Sequence, residues 1–183
     1  MIIYFCRHAQ EAESPYDPKE AITELGKEQA RALGRFLSDK NIGVLYSSDL
    51  PRASQTAEIV GKILNLKPKV SEQLREISTT SPEDWTDYIQ KHHPDFDFLV
   101  GGKESLNMVM ERARKAWEEI LRENKGKNTV IIGHGVFTKA LLYSLGYKDY
   151  LIRNDHAPNT GITVLECTNG QPKLLKFASA EHL

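Results

Sequence analysis

A chain of 183 residues with 40% hydrophobic and 27% charged side chains can bury a core without disulfide or metal staples and has the make-up of an ordinary globular domain. A formal net charge of −1 excludes a whole-molecule field that would draw nucleic acid or an acidic membrane surface, so any anion site has to be built locally. The two cysteines, Cys6 and Cys167, sit in apolar runs and read as small core residues of a protein kept in a reducing compartment, not as a disulfide framework.

The N-terminus is apolar for six residues and then charged, too short for a signal sequence or a membrane span. Nothing later in the chain approaches a spanning length, so a cytoplasmic enzyme is expected. Residues 1–6 form a continuous apolar run, the pattern of a strand covered on both faces. Residues 23–39 read as a helix capped by Thr23, with Leu25, Ala32, Leu33, Phe36 and Leu37 at helical spacing. A second buried strand is expected at 43–47, and Pro51 then opens a helix through Ala53, Ala57, Val60 and Leu64. Residues 68–71 suit a short strand.

From Glu76 to Gly102 the pattern loosens. A short helix at 82–93 is expected there, inside an excursion that either packs on the surface or covers a pocket. The longest helical pattern runs from 104 to 123. A third buried strand at 129–132 leads through Gly133-His134-Gly135 into a helix, and strands at 161–167 and 173–177 flank a turn at Asn169-Gly170. No repeat or linker divides the chain. The alternation predicts a single α/β domain over residues 1–183: a three-layer sandwich with helices on both faces of a central sheet that is mostly parallel, or mixed if the last two strands form a hairpin. A small insertion or lid is expected at about 77–103.

Ligands of open α/β sheets bind beyond the carboxyl ends of the parallel strands. Three polar groups fall at such ends: Arg7-His8 after the first strand, Ser47-Ser48 through Arg52 after the second, and His134-Gly135 after the third. Arginine presents a planar fork that matches phosphate oxygens and keeps its charge. Histidine becomes a nucleophile when a hydrogen bond fixes its tautomer. A second, protonated histidine would add a donor to the transferring group. Glu76, after Leu74, could protonate a leaving alcohol. Gly135 permits close approach of helix-start amides to an anion. Arg52 sits in the first turn of a helix, an unfavourable place for a cation unless an anion is near. Two histidines and a carboxylate can also hold a metal, but no helical two-histidine motif or cysteine cluster occurs and two arginines would repel a divalent cation, so no metal is expected.

At these residues the sequence resembles the histidine phosphatase (phosphoglycerate mutase-like) superfamily. Arg7-His8-Ala9 is similar to the signature whose histidine becomes phosphorylated. Thr23-Glu24-Leu25-Gly26, the run Ser47 to Ala57, Leu74-Arg75-Glu76, Gly102-Lys103-Glu104-Ser105, Ile132-Gly133-His134-Gly135-Val136 and Asn159-Thr160-Gly161-Ile162 resemble further blocks in the family's order. The resemblance implies that His8 attacks phosphorus, that Arg7, Arg52 and His134 stabilise the equatorial oxygens, and that Glu76 protonates the leaving group and later activates water. Members often carry Thr or Ser and then Asn after the first block. Here Gln10, Glu11, Glu13 and Ser14 fill that region, and Ser14 is the candidate for the auxiliary phosphate contact. Ile77 to Ser81 also differ from the family's usual stretch after the acid, which leaves Glu83 as an alternative donor.

A metal-independent phosphatase acting on small phosphomonoesters, with no cofactor, is therefore expected. Alternatives are phosphoglycerate mutase-type transfer, a protein phosphohistidine phosphatase and a non-catalytic phospho-ligand binder. A small phosphorylated substrate is the expected partner, with neither nucleic acid nor membrane, and the oligomeric state is left open, a dimer included. His156 is a weaker candidate for the pocket lining.

Overall fold

The computed structural model describes residues 1–12, 22–78, 91, 95–100, 103–152 and 157–183. Its main sheet contains β1 (Ile2–Arg7), β2 (Ile42–Ser48), β3 (Lys69–Ser71), β6 (Asn128–Gly133), β7 (Ile162–Thr168) and β8 (Gln171–Ser179), in the order β3-β2-β6-β1-β7-β8. The first four run parallel, β7 is antiparallel to β1, and β8 is antiparallel to β7. The sheet is thus mixed but mostly parallel.

The apolar runs follow from what covers the strands. Ile3 and Phe5 of β1 join a core with Val44, Tyr46 and Ile131, while the intervening Tyr4 and Cys6 join another with Leu45, Val130 and Ile132. Alternate residues face opposite sides, and both sides are covered, so the middle of each strand is a continuous apolar run. Helices α1 (Glu24–Leu37) and α2 (Pro51–Leu64) bury Leu33, Leu37, Ala53, Ala57 and Val60 against one face. Helices α3 (Leu106–Glu123) and α4 (Gly135–Ser144) bury Val109, Ala113, Trp117, Phe137 and Leu141 against the other. A short α5 (Asp149–Ile152) adds Leu151 to that second face. These layers make the three-layer α/β sandwich.

Local chemistry sets the boundaries. Thr23 caps α1, its hydroxyl accepting the Gly26 N–H at 3.0 Å. Asn169 and Gly170 both take left-handed backbone (φ +51° and +78°), the requirement of a two-residue type I′ hairpin joining β7 to β8. One expected boundary is corrected. The helix read from residue 104 begins at Leu106, because β5 (Glu104–Ser105) pairs with β4 (Leu99–Val100) in a small ribbon. Ser105 is the N-cap, with extended backbone and its hydroxyl accepting the Met108 N–H at 3.3 Å. A cap residue lies outside the helix it closes. Apart from Lys91, the helix expected at 82–93 lies outside the described residues. Among the described residues no helix is long and apolar enough to cross a membrane.

Candidate active site

Adjacent parallel strands bring the three polar strand ends together. β6 lies between β2 and β1, with Arg7 in register with Gly133 and Ser47 with Ile132. The His8 and His134 rings consequently meet, 5.3 Å between centroids and tilted by 55°. Both histidines are buried, as is Arg52 in the first turn of α2.

The His8 backbone is tied on both sides. Its N–H donates to the Gly133 carbonyl at 2.9 Å, and its own carbonyl accepts from the Thr160 N–H (3.2 Å) and Asn159 Nδ2 (3.3 Å). Thr160 does this in left-handed backbone, φ +56°, a costly conformation for a β-branched residue that local packing has to hold. The imidazole is fixed as well. His8 Nδ1 lies 2.8 Å from the Ala9 carbonyl oxygen. A carbonyl can only accept, so Nδ1 carries the proton and Nε2 keeps its lone pair. Ala9 is held in turn by Thr56 of α2. The Thr56 hydroxyl accepts the Ala9 N–H at 3.0 Å and donates to the Arg52 carbonyl at 2.7 Å. One buried hydroxyl therefore links the His8 loop to the arginine-bearing turn.

The electrostatics keep both imidazoles neutral. Burial, then the Arg52 and Arg7 charges, push His8 down to about 3, against a backbone hydrogen bond to Ala9 that works the other way. His134 is shifted in the same direction by burial, then by His8, Arg52 and Arg7. Burial and two guanidinium charges thus oppose the protonated form expected of the second histidine. Among the described residues neither ring nitrogen of His134 has a hydrogen-bond partner. Buried polar atoms of that kind are ready to take up a polar ligand.

Arg7 Nη1 donates to the Ala157 carbonyl at 2.6 Å. Arg52 Nε lies 3.1 Å from Glu11 Oε2. That carboxylate is the anion which a cation in the first turn of a helix calls for. Sequence reading missed this role of Glu11, and the only signal for it is the misplaced charge of Arg52.

Glu76 stands under the start of α4. Its Oε2 accepts the Val136 N–H at 3.0 Å, and its Oε1 accepts those of Phe137 (2.8 Å) and Ile77 (3.1 Å). The amides expected to face an anion after Gly135 are therefore engaged by Glu76 itself. Around Gly135 nothing lies within 4 Å of where a Cβ would stand, so the close approach expected there remains open. Ser14, Glu83 and His156 lie outside the described residues.

A buried, tautomer-fixed imidazole flanked by two arginines and a second histidine, at the carboxyl edge of a mostly parallel sheet, is an arrangement able to bind a phosphate and take up a phosphoryl group. The comparisons with known proteins agree. The family model for the histidine phosphatase superfamily (branch 1) matches residues 3–180, and the chain belongs to that superfamily. It is a phosphatase-type enzyme of that superfamily. Phosphoserine phosphatase 1 of Hydrogenobacter thermophilus is 26% identical over 157 residues, 76% of this chain and 73% of the relative. The fold is shared with an Entamoeba histolytica phosphoserine phosphatase, a histidine-to-alanine mutant solved with phosphoserine, at TM-score 0.83 and 20% identity over 100% of this chain and 98% of that one. A mycobacterial glucosyl-3-phosphoglycerate phosphatase gives TM-score 0.81 at 22% identity over 97% of this chain and 98% of that one.

Proposed function

We propose that the chain hydrolyses small phosphomonoesters through a phosphohistidine on His8. The observation that carries this reading is the bond from Nδ1–H to the Ala9 carbonyl, which leaves Nε2 as a neutral nucleophile. Nε2 attacks phosphorus as the bond to the leaving oxygen breaks. Arg7, Arg52 and His134 stabilise the charge spread over the equatorial oxygens, and the site acts mainly by positioning and preorganised charge.

Glu76 is the proton donor in this scheme. A carboxylate offers about four lone-pair positions, and three backbone N–H groups occupy three of them here. The carboxyl is protonated when substrate binds, and the remaining position carries that proton and hands it to the departing alkoxide. In the second step it takes a proton from the water that attacks phosphorus, the P–N bond breaks, inorganic phosphate leaves, and His8 returns to its neutral form. No metal enters either step.

Relatives named for phosphoserine and glucosyl-3-phosphoglycerate, and a related structure holding phosphoserine, support phosphorylated hydroxy acids as the first candidate substrates. The reading is of one domain; the insertion or lid expected at about 77–103 lies mostly outside the described residues. Two free, buried cysteines support a cytoplasmic setting.

The test is phosphate release from p-nitrophenyl phosphate, phosphoserine, 3-phosphoglycerate and sugar phosphates in excess chelator, for wild type and His8→Ala. Chelator-resistant turnover that vanishes in the variant is the expected result. Substantial turnover by His8→Ala would sink the covalent scheme.

A further inference from the structure

The segment bearing Glu76 contains a 3-10 turn, Glu72–Leu74, and otherwise runs without regular structure from Arg75 to Ser78, yet it is fixed at every side. On one side, Arg75 pairs through Nε with Asp49 in the β2–α2 connection, at 2.8 and 3.0 Å. On the other stands Arg112 of α3. Its Nη1 donates to two carbonyls of the segment, Gln73 at 2.7 Å and Arg75 at 2.8 Å. Its Nε and Nη2 take the two oxygens of Glu104, each at 3.0 Å. Glu104 Oε2 in turn accepts the N–H of Ser78 at 3.0 Å. The Arg112 guanidinium also lies over the Phe137 ring, 5.6 Å from its centroid, and Phe137 donates one of the amides that hold Glu76.

The pair therefore grips the chain immediately before Glu76 and two residues after it, and braces the helix start against which the carboxylate rests. Neither the Arg112 nor the Glu104 side chain is more than 20% exposed, so the arrangement is largely shielded from solvent screening. A planar guanidinium can satisfy a carboxylate with one edge and backbone carbonyls with another, and a lysine ammonium cannot reproduce that geometry.

We propose that Arg112 and Glu104 are positioning residues for Glu76, holding the carboxyl position that carries its proton toward the leaving oxygen. The inference rests on the reading of Glu76 as proton donor. A displaced general acid costs rate only where the leaving group needs a proton, so the readout is the ratio of kcat/KM for a poor leaving group (phosphoserine) to that for an activated one (2,4-dinitrophenyl phosphate). A purely structural role would lower both together and leave the ratio unchanged.

The ratio is measured for wild type, Arg112→Lys, Glu104→Gln and Glu76→Gln. The positioning variants should lower it by roughly 10- to 100-fold, a part of the ~10²–10⁴ that a placed general acid supplies, and Glu76→Gln by at least as much. A fall in Glu76→Gln with no fall in either positioning variant overturns the positioning role and leaves the donor intact. No fall in Glu76→Gln removes the donor assignment, and the inference with it. Should Arg112→Lys fail to fold, Glu104→Gln decides by the same ratio.

Discussion

Arg52 and Glu11 form a largely buried ion pair in the candidate active site, with Nε 3.1 Å from Oε2 and the two side chains only 8% and 14% exposed. The pair neutralises the guanidinium. It also places a second negative charge beside any phosphate that Arg52 grips. Two like charges about 5 Å apart repel by about 3 kcal/mol at an effective dielectric near ~20. Phosphate must displace the carboxylate or tolerate it, and both are easier when residue 11 is neutral. Glu11→Gln should accordingly tighten competitive inhibition by inorganic phosphate by about 10-fold, roughly half of that repulsion at ~1.4 kcal/mol per decade. Unchanged or weaker inhibition would mean that Glu11 serves to aim Arg52.

Acid stability should report on His8. Burial first, then the Arg52 and Arg7 charges, hold its folded pKa at about 3, whereas an unfolded histidine titrates near ~6.5. Between those values the unfolded chain binds more protons, so stability falls as pH drops through that window and is fully present above it. His8 alone removes about 2 kcal/mol between pH ~6.5 and ~5, at about 1.4 kcal/mol per pH unit. His134 acts in the same direction. Urea unfolding of His8→Asn at the two pH values should therefore show about 2 kcal/mol less acid loss than wild type. Equal losses would contradict a neutral, buried His8.

Much of this architecture could be read from local signals. Continuous apolar runs marked β1, β2 and β6 because both faces of the sheet are covered, and Thr23 and Pro51 marked helix starts through their own backbone chemistry. The convergence of Arg7, His8, Arg52 and His134 followed from one rule about parallel strands. What escaped were contacts that join distant segments without any periodicity. Glu11 meets Arg52 across 41 positions, Arg112 meets the Arg75 carbonyl across 37, and Glu76 reaches the amide of Phe137 across 61. Nothing in the neighbourhood of Glu76 announces that its carboxylate will stop the start of another helix. The two-residue strand at Glu104 was missed for a related reason: it is too short to carry a pattern of its own and exists through pairing with Leu99–Val100.

Thr56 gives the sharpest test of how the nucleophile is held. Its side chain is fully buried, accepts the Ala9 N–H at 3.0 Å and donates to the Arg52 carbonyl at 2.7 Å. Valine matches its shape and lacks the hydroxyl, so Thr56→Val strands the Ala9 N–H at a cost of about 1–3 kcal/mol. The damage should extend beyond stability, because the carbonyl of the same Ala9 fixes the tautomer of His8. Loss of register between the His8 loop and α2 should lower kcat on p-nitrophenyl phosphate by about 10-fold, in keeping with the sensitivity of positioned groups to sub-ångström displacement. Thr56→Ser keeps both hydrogen bonds and should restore most of the turnover while still lacking the buried methyl. If Thr56→Val turned over at the wild-type rate although less stable, Thr56 would be a core hydrogen bond only, and the placement of His8 would rest on Gly133, Asn159 and Thr160.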